Sequence, residues 1–460
     1  MYRADTIVAR ATAAGRAAIA IVRISGPDSV EIAGALLRSN RPLRDLPPWR
    51  LARFSAIDPD DGRVIDDVLA VQMPGPRSYT GEDVVEIHCH GSSAVVETLL
   101  GAAMIAGARS AEPGEFTRRA VLNGRMDLLQ AEAVADLIEA PVLSGAKAAW
   151  QQLSGAMSER VLALRSRLIG ILADIEAHID FSDDDLPDED TGARQLRLSG
   201  VRDEVEKLID GFAAARRERD GYRVVLAGKP NVGKSSLLNA LLGFERAIVS
   251  QEPGTTRDTI METVDLNGLA FVITDTAGVR RASGAAERLA VDRSRQEAVK
   301  ADILIAVFDG SQPLEEVDSE VLRLRCDDGI AFGVINKADL APGLTPDDQC
   351  RLAAAGYRVV SSSALRPGGC DALKRALIEA AEGLKGDAGE SAGLGRERHK
   401  AALHRALTAI TQADRMLAAE EPEIASVELR VALAEVAGIT EVLDNERVLD
   451  QIFASFCIGK

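Results

Sequence analysis

Residues Gly228 to Ser235 read GKPNVGKS and stand between an apolar run, Val224 to Ala227, and a helix-like run, Ser236 to Leu242. No other segment restricts the fold of this chain so strongly. The pattern GxxxxGK[ST] in that setting demands a strand–loop–helix unit. Its backbone N–H groups cradle phosphates, its lysine puts a cation on them, and its hydroxyl reaches Mg²⁺. Here the lysine is Lys234 and the hydroxyl Ser235, with Asn231, Val232, Gly233 and Ser236 completing the loop. A glycine turn without nucleotide is the plain alternative, and the strand and helix on either side argue against it. Further apolar runs follow, at Phe271 to Thr274, Ile303 to Phe308, Ala331 to Ile335 and Arg358 to Ser361, alternating with helical stretches. That alternation predicts a Ras-like, doubly wound α/β domain over residues 221–384.

Three more motifs follow the loop in order, each with its own task. Asp275-Thr276-Ala277-Gly278 closes an apolar strand, where Asp275 can hold Mg²⁺ through water and Gly278 can move with a γ-phosphate. Asn336-Lys337-Ala338-Asp339 follows another and matches the NKxD motif, whose carboxylate accepts two hydrogen bonds from guanine and repels adenine. The expected nucleotide is therefore GTP. Ser363-Ala364-Leu365 would complete the base pocket, a weak signal by itself. Between the first two motifs, Gly254-Thr255-Thr256-Arg257-Asp258 lies where a switch loop must reach the metal, and Thr256 is the candidate second hydroxyl ligand beside Ser235. The residue after Gly278 is Val279, so the glutamine that orients water in Ras-like GTPases is missing and another carboxylate, amide or ion must act.

The rest of the chain divides around this domain. At 460 residues it predicts roughly three domains. From Met1 to about Phe116, short apolar runs (Ile19 to Ile24, Val68 to Met73, Val84 to His88) broken by Pro and Gly predict a mixed α/β domain, residues 1–118. Residues 119–220 have helical texture, as in Leu168, Leu172, Ile175 and Ile179, interrupted by the acidic DDDLPDED of 183–190, which reads as a solvated loop rather than a metal site. After a Gly- and Ser-rich linker, helical spacing returns in residues 385–460 with Leu403, Leu407 and Ile410 and with Leu429, Leu433 and Val436. The expected architecture is multidomain α/β plus α: a discontinuous helical domain with the nucleotide domain inserted into it.

The formal charge of −17 argues against general phosphate attraction as the way this chain holds nucleic acid, and leaves a local basic patch or a basic partner as the route for RNA. Apolar runs fall short of the ~18–20 residues of a membrane span. Cys89, Cys326, Cys350, Cys370 and Cys457 are scattered without a CxxC pair, which fits a reducing, cytoplasmic setting. Ala17 to Ile24 reads as a buried strand ending at Ser25-Gly26-Pro27 rather than as part of a targeting peptide. Ile458-Gly459-Lys460 after Cys457 is a poor match to a prenylation box. His88 and His90 share one strand face, but without a third ligand they read as structural rather than as a metal site.

Beyond the nucleotide motifs, the chain carries DTIVARAT (Asp5 to Thr12), RISG (Arg23 to Gly26) and PGPRSYTGEDVVEIHCHG (Pro74 to Gly91). EPGEFTRRAVLNGRMDLLQAEAVADLI (Glu112 to Ile138) and the terminal CIGK (Cys457 to Lys460) complete the set. Together these resemble the bacterial tRNA-modification GTPases of the MnmE (TrmE) family over essentially the whole chain. Because the pattern begins at Asp5, the resemblance implies no cleaved presequence. It implies an N-terminal folate-binding domain that also makes a homodimer, a discontinuous helical domain and an inserted G domain. It further implies work with a flavoprotein partner, MnmG (GidA), in a heterotetramer or larger complex. That work would build an aminomethyl or carboxymethylaminomethyl group on C5 of the wobble uridine of certain tRNAs, from a 5-formyl or 5,10-methylene tetrahydrofolate.

Carried over residue by residue, the resemblance puts folate contacts on Arg23, Glu86, Arg125 and Lys460, Arg125 standing where relatives can carry lysine. It puts K⁺ at Asn231, Ser250, Glu252 and Thr255, with Glu252 offering its backbone carbonyl; Gln251 and Pro253 fall in the same nucleotide-binding stretch. K⁺ there would supply the charge that an arginine finger supplies elsewhere. The carboxylate replacing the missing glutamine falls on Glu287, to polarise the attacking water through a bridging water; residue type alone makes it a surface charge. Cys457 falls near the folate site with a possible chemical role. A ribosome-assembly or signalling switch remains as the alternative, as does a folate-dependent one-carbon enzyme regulated by GTP. Arg23, Glu86, Arg125 and the CIGK tail separate the switch from the first reading, since a pure switch has no need of them, while the one-carbon enzyme differs from the first reading in what accepts the carbon.

Overall fold

The computed structural model describes residues 5–180, 191–243, 261–275, 295–316, 318–385, 393–441, 450, 452–454, 456 and 458–459. They form two compact units, Met1–Ala135 with Ser158–Arg165 and Leu433–Lys460, and Asp136–Met157 with Ser166–Ala432. Part of the expected linker and the whole acidic stretch 183–190 lie outside the described residues.

The first unit is built on a seven-stranded sheet in the order β3-β4-β5-β6-β2-β1-β7. The strands are β1 (Ile7–Arg10), β2 (Ala17–Ser25), β3 (Leu37–Arg38), β4 (Ala52–Ile57), β5 (Val64–Met73), β6 (Val84–Gly91) and β7 (Arg109–Ser110). Alternation decides its faces. Ala20, Val22 and Ile24 of β2 and Val85, Ile87 and Cys89 of β6 enter one core with Ile32 and Leu36 of helix α1 (Ser29–Leu36) and Leu99 of α2 (Ser93–Ile105). Each Val, Leu or Ile side chain among them stabilises the fold by roughly 1.5–3 kcal/mol. The residues between them, Arg23 on β2 and Glu86 and His88 on β6, therefore stand on the opposite face. There helix α3 (Glu115–Leu122) lays Phe116 against Ile7 and Ala9. Arg119, only 3% exposed, ties α3 down by donating to the Asp5 carboxylate at 2.6 Å and to Glu82 at 3.1 Å.

Helices dominate after residue 119, as the spacing predicts: α4 (Leu128–Glu139), α5 (Leu143–Leu153), α6 (Ala156–Asp180), α7 (Thr191–Asp210) and α8 (Phe212–Asp220). The second unit then turns to a six-stranded sheet, order β13-β12-β11-β8-β10-β9. Its strands are β8 (Tyr222–Ala227), β9 (Met261–Leu266), β10 (Leu269–Asp275), β11 (Ile303–Asp309), β12 (Ile330–Asn336) and β13 (Arg358–Ser361). Five strands run parallel and β9 pairs antiparallel with β10 at the edge, a strand the apolar runs did not mark. β11 is buried at every position because helices cover both faces, as a central parallel strand requires. Ile305 and Val307 pack with Leu237 of α9 (Lys234–Leu242) and Leu377 of the helix Asp371–Leu384, while Leu304 and Phe308 pack with Leu352 of the helix Pro346–Ala354. That last helix starts on a capping box, Thr345 with Asp348, and carries Pro at its first position.

The helix α8 is fastened to the sheet by charge. The Asp302 carboxylate, just before β11, accepts from Arg216 at 2.5 and 2.6 Å, from Arg217 Nε at 2.8 Å and from the backbone N–H of Arg223 at 2.8 Å. Burial pushes this carboxyl up, but the two guanidinium groups outweigh it and hold it below its ordinary value of 3.8. Since the folded value is depressed, its stabilisation is present above the unfolded value and lost as pH falls through the folded one. Asp302→Ala leaves two arginines without their buried partner. It should lower the stability of this unit by about 3–5 kcal/mol in denaturant unfolding at pH 7, with the gap from wild type closing below pH 3.8.

Candidate functional sites

The loop between β8 and α9 is shaped by close approaches. Gly228 has φ +152°, and a Cβ on it would lie 2.5 Å from Val307 O; Gly233 has φ +97°, and its Cβ would lie 2.2 Å from Asn336 Nδ2. Asn231 also takes a positive φ, 65°, which asparagine tolerates better than most residues. The loop thus packs closely on β11 and Asn336 and leads into the N-terminus of α9, a helix end that favours an anion. Lys234, 5% exposed, donates from Nζ to Gly228 O at 2.6 Å and Lys229 O at 2.8 Å, which holds its ammonium on the loop. Ser235 is exposed at the second position of α9, and Asp275 is buried at the end of β10.

The Lys229 side chain, unassigned by the sequence, donates to Glu315 at 2.9 Å and Asp318 at 3.1 Å. Burial pushes this ammonium down, but the carboxylates outweigh it and keep it charged. No local pattern could have announced a pair joined across 86 and 89 residues.

The base side is organised by Asn336. Its Nδ2 donates to Val232 O at 2.9 Å, while its Oδ1 accepts from Ala364 N and Ser362 Oγ, each at 3.3 Å. Lys337 next to it donates to Asp309 Oδ2 at 2.6 Å. Burial raises the Asp309 carboxyl, and Lys337 with Ser311 more than reverses this. Ser363 Oγ donates to Asp339 Oδ1 at 2.6 Å and holds that carboxyl below its ordinary range, so it is an acceptor at neutral pH. An ionised carboxylate in this place suits the adjacent ring N–H and amino group of guanine. The structure thus joins Asn336, Lys337, Ala338, Asp339, Ser363 and Ala364 in one corner, with Leu365 82% exposed at its rim.

A second polar group lies in the first unit. Arg23 donates to Glu86 Oε1 from Nε at 2.9 Å and approaches it with Nη2 at 2.8 Å, the two residues facing each other in register across β2 and β6. Its guanidinium stacks 5.5 Å from the Tyr79 ring centre and 5.6 Å from that of Phe116, and Nη1 reaches Gly459 O at 3.4 Å. Arg125 Nε donates to Ser78 O at 3.2 Å, beside Tyr79. Two of the four carried-over folate positions, Arg23 and Glu86, thus pair beside Gly459, and a third, Arg125, is held on the backbone next to Tyr79. Ser250, Gln251, Glu252, Pro253, Gly254, Thr255, Thr256, Thr276, Ala277, Gly278, Glu287, Cys457 and Lys460 lie outside the described residues. Among the described residues no group of three or more His, Cys, Asp or Glu gathers as a metal site, and no helix is long and apolar enough to cross a membrane.

A loop of the GxxxxGK[ST] pattern joined through Asn336 to an ionised carboxylate of the NKxD pattern has the layout of a P-loop GTPase. The family described as GTP-binding protein TrmE N-terminus matches residues 6–125, and that described as MnmE helical domain matches residues 128–457. The tRNA modification GTPase MnmE of Heliobacterium modesticaldum is 41% identical over 464 residues, covering 99% of each chain. Those of Geobacillus kaustophilus (41% over 469 residues) and Nitratidesulfovibrio vulgaris (43% over 467) each cover 100% of both chains. The chain belongs to the MnmE (TrmE) family of tRNA modification GTPases, with that family's N-terminal, helical and G domains, and it is a GTP hydrolase.

Asp339→Asn replaces an acceptor-only group by one that presents a donor to guanine's N–H groups. GTP affinity should fall on the order of 100-fold, while XTP, whose 2-oxo group accepts that donor, should bind better than GTP. Competition against a fluorescent guanine nucleotide measures both.

Proposed function

We propose that this chain is a K⁺-activated GTPase that, with the flavoprotein MnmG, adds an aminomethyl or carboxymethylaminomethyl group to C5 of the wobble uridine (position 34) of certain tRNAs. A tetrahydrofolate supplies the carbon, and the protein works in the cytoplasm as a homodimer within a larger complex. The observation that carries this is the pairing of Arg23 with Glu86 beside the carbonyl of Gly459, on a chain that also holds the NKxD carboxylate, Asp339, in place on Ser363. A plain switch has no use for the first of these. The division into residues 1–118, 119–220, 221–384 and 385–460 belongs to the same reading.

The residues present fit the groups it requires. A loop packed so closely that Gly228 and Gly233 have no room for a Cβ, and that leads into the N-terminus of α9, suits phosphates. The hydroxyl of Ser235 and the carboxylate of Asp275 are hard oxygen donors of the kind Mg²⁺ takes, with Thr256 as the second hydroxyl. Asn231, Ser250, Glu252 and Thr255 would hold K⁺, which supplies positive charge beside the transferring phosphoryl group. Arg23, Glu86, Arg125 and Lys460 would hold the folate, with Cys457 close by. On the protein's side, Lys234 keeps an ammonium at the phosphates, Asp339 selects guanine, and Glu287 orients the attacking water.

GTP hydrolysis in KCl and NaCl at equal ionic strength tests the reading. Because a cation at that position is worth orders of magnitude in rate, the expected result is strong K⁺ stimulation, lost in Asn231→Ala and in Glu287→Ala. Equal rates in the two salts would move the plain switch ahead. A second expectation follows from the charge of −17. A basic partner should supply much of the tRNA affinity, so filter binding by this chain alone should be weaker than by the pair with MnmG, and equal binding would refute that division of labour.

A further inference from the structure

On β6, Glu86 and His88 stand two residues apart on one face; Arg23 and Ile21 of β2 lie opposite them on one side, Val71 and Leu69 of β5 on the other. Both close contacts of Arg23 fall on Glu86 Oε1. The other oxygen, Oε2, faces His88 Nε2 at 3.5 Å, too far for a good hydrogen bond. His88 Nε2 is buried and has no hydrogen-bond partner among the described residues. The neighbouring His90 differs, since its Nδ1 lies 2.7 Å from Asp66. A buried polar nitrogen left unpaired beside an ion pair and two aromatic rings marks a place where a ligand is to supply the missing partner.

We propose that His88 is a specificity-determining residue of the folate site, its Nε2–H and the Glu86 Oε2 together reading an adjacent carbonyl and N–H on the ligand's ring. The proposal rests on the folate reading above. An N–H of the ligand donates to Glu86 Oε2 while the carbonyl beside it accepts from His88 Nε2. A carboxylate would be repelled by Glu86, and a simple amine would leave His88 unpaired. The 4-oxo edge of a pterin carries the required pair side by side, and the rings of Tyr79 and Phe116 flanking Arg23 give the neighbourhood an aromatic surface.

Folic acid and aminopterin differ at this edge, a 4-oxo group in one and a 4-amino group in the other. Calorimetry on the full chain should show wild type preferring folic acid by about a hundredfold, roughly tenfold for each of the two hydrogen bonds that aminopterin cannot make. His88→Leu should reduce that preference to the roughly tenfold share that Glu86 keeps, and bind 5-formyltetrahydrofolate about tenfold more weakly. His88→Gln, which keeps an N–H donor, should retain both within about threefold. Melting temperature and light-scattering mass are followed for each variant. Unchanged discrimination in His88→Leu overturns the proposal. So does loss of binding with a halved mass, which would assign His88 to a contact between copies of the chain. If wild type binds no folate while still hydrolysing GTP, the folate reading itself fails, a result distinct from either.

Discussion

The carboxamide of Asn336 donates to the phosphate-binding loop at Val232 and accepts from the segment that follows β13, at Ser362 and Ala364. A neutral amide is suited to this place because it offers a donor and an acceptor from one rigid plane; aspartate would lose the donor, and a hydroxyl could not span both. The approach is so close that Gly233 has no room for a Cβ. The phosphate cradle and the guanine corner are therefore held by a single group, so their separation is set before nucleotide arrives. Pre-organisation of this kind converts contacts into affinity, because little ordering remains to be done on binding.

The stretch after β11 performs a related task with charge. Asp309, the last residue of β11 itself, holds Lys337 on the base side, and beyond it Glu315 with Asp318 hold Lys229 at the base of the phosphate loop. A chain with net charge −17 that must bind a polyanion gains from this arrangement. Carboxylates close to the site are matched by lysines whose side chains serve the loop's shape, so the field reaching the phosphates is not dominated by unpaired acids. On the far side of the sheet, Asp302 uses the same chemistry to fix α8 at the strand that precedes it in space.

Much of this was legible in the sequence wherever the signal is local. The runs at 271–274, 303–308, 331–335 and 358–361 became β10, β11, β12 and β13, since continuous apolar runs bounded by turns suit strands covered on both faces. β9 escaped notice because METVDL is half exposed and alternates weakly, the texture of an edge. The NKxD residues announced themselves, but their supports did not: Asp309, Ser362, Glu315 and Asp318 are ordinary residue types that act only because the topology brings distant strand ends together. The same limit hid the state of His88. Its position on a strand face followed from alternation, whereas the absence of a partner for Nε2 depends on which Glu86 oxygen Arg23 takes.

The tail illustrates how a motif divides between shape and chemistry. Ile458 bridges to Pro113, and Gly459, at φ +99°, passes so near Arg10 that a Cβ would lie 2.0 Å from its carbonyl oxygen. Nothing larger than glycine fits there, and that closeness brings the Gly459 carbonyl within reach of Arg23. The guanidinium is then confined by Glu86 in front, Tyr79 and Phe116 at its faces and the tail at its edge. Fixing a cation so tightly against rings and a shared carboxylate leaves Glu86 Oε2 as the oxygen that turns toward His88, so the geometry that seats the tail also decides which atoms remain to meet a ligand.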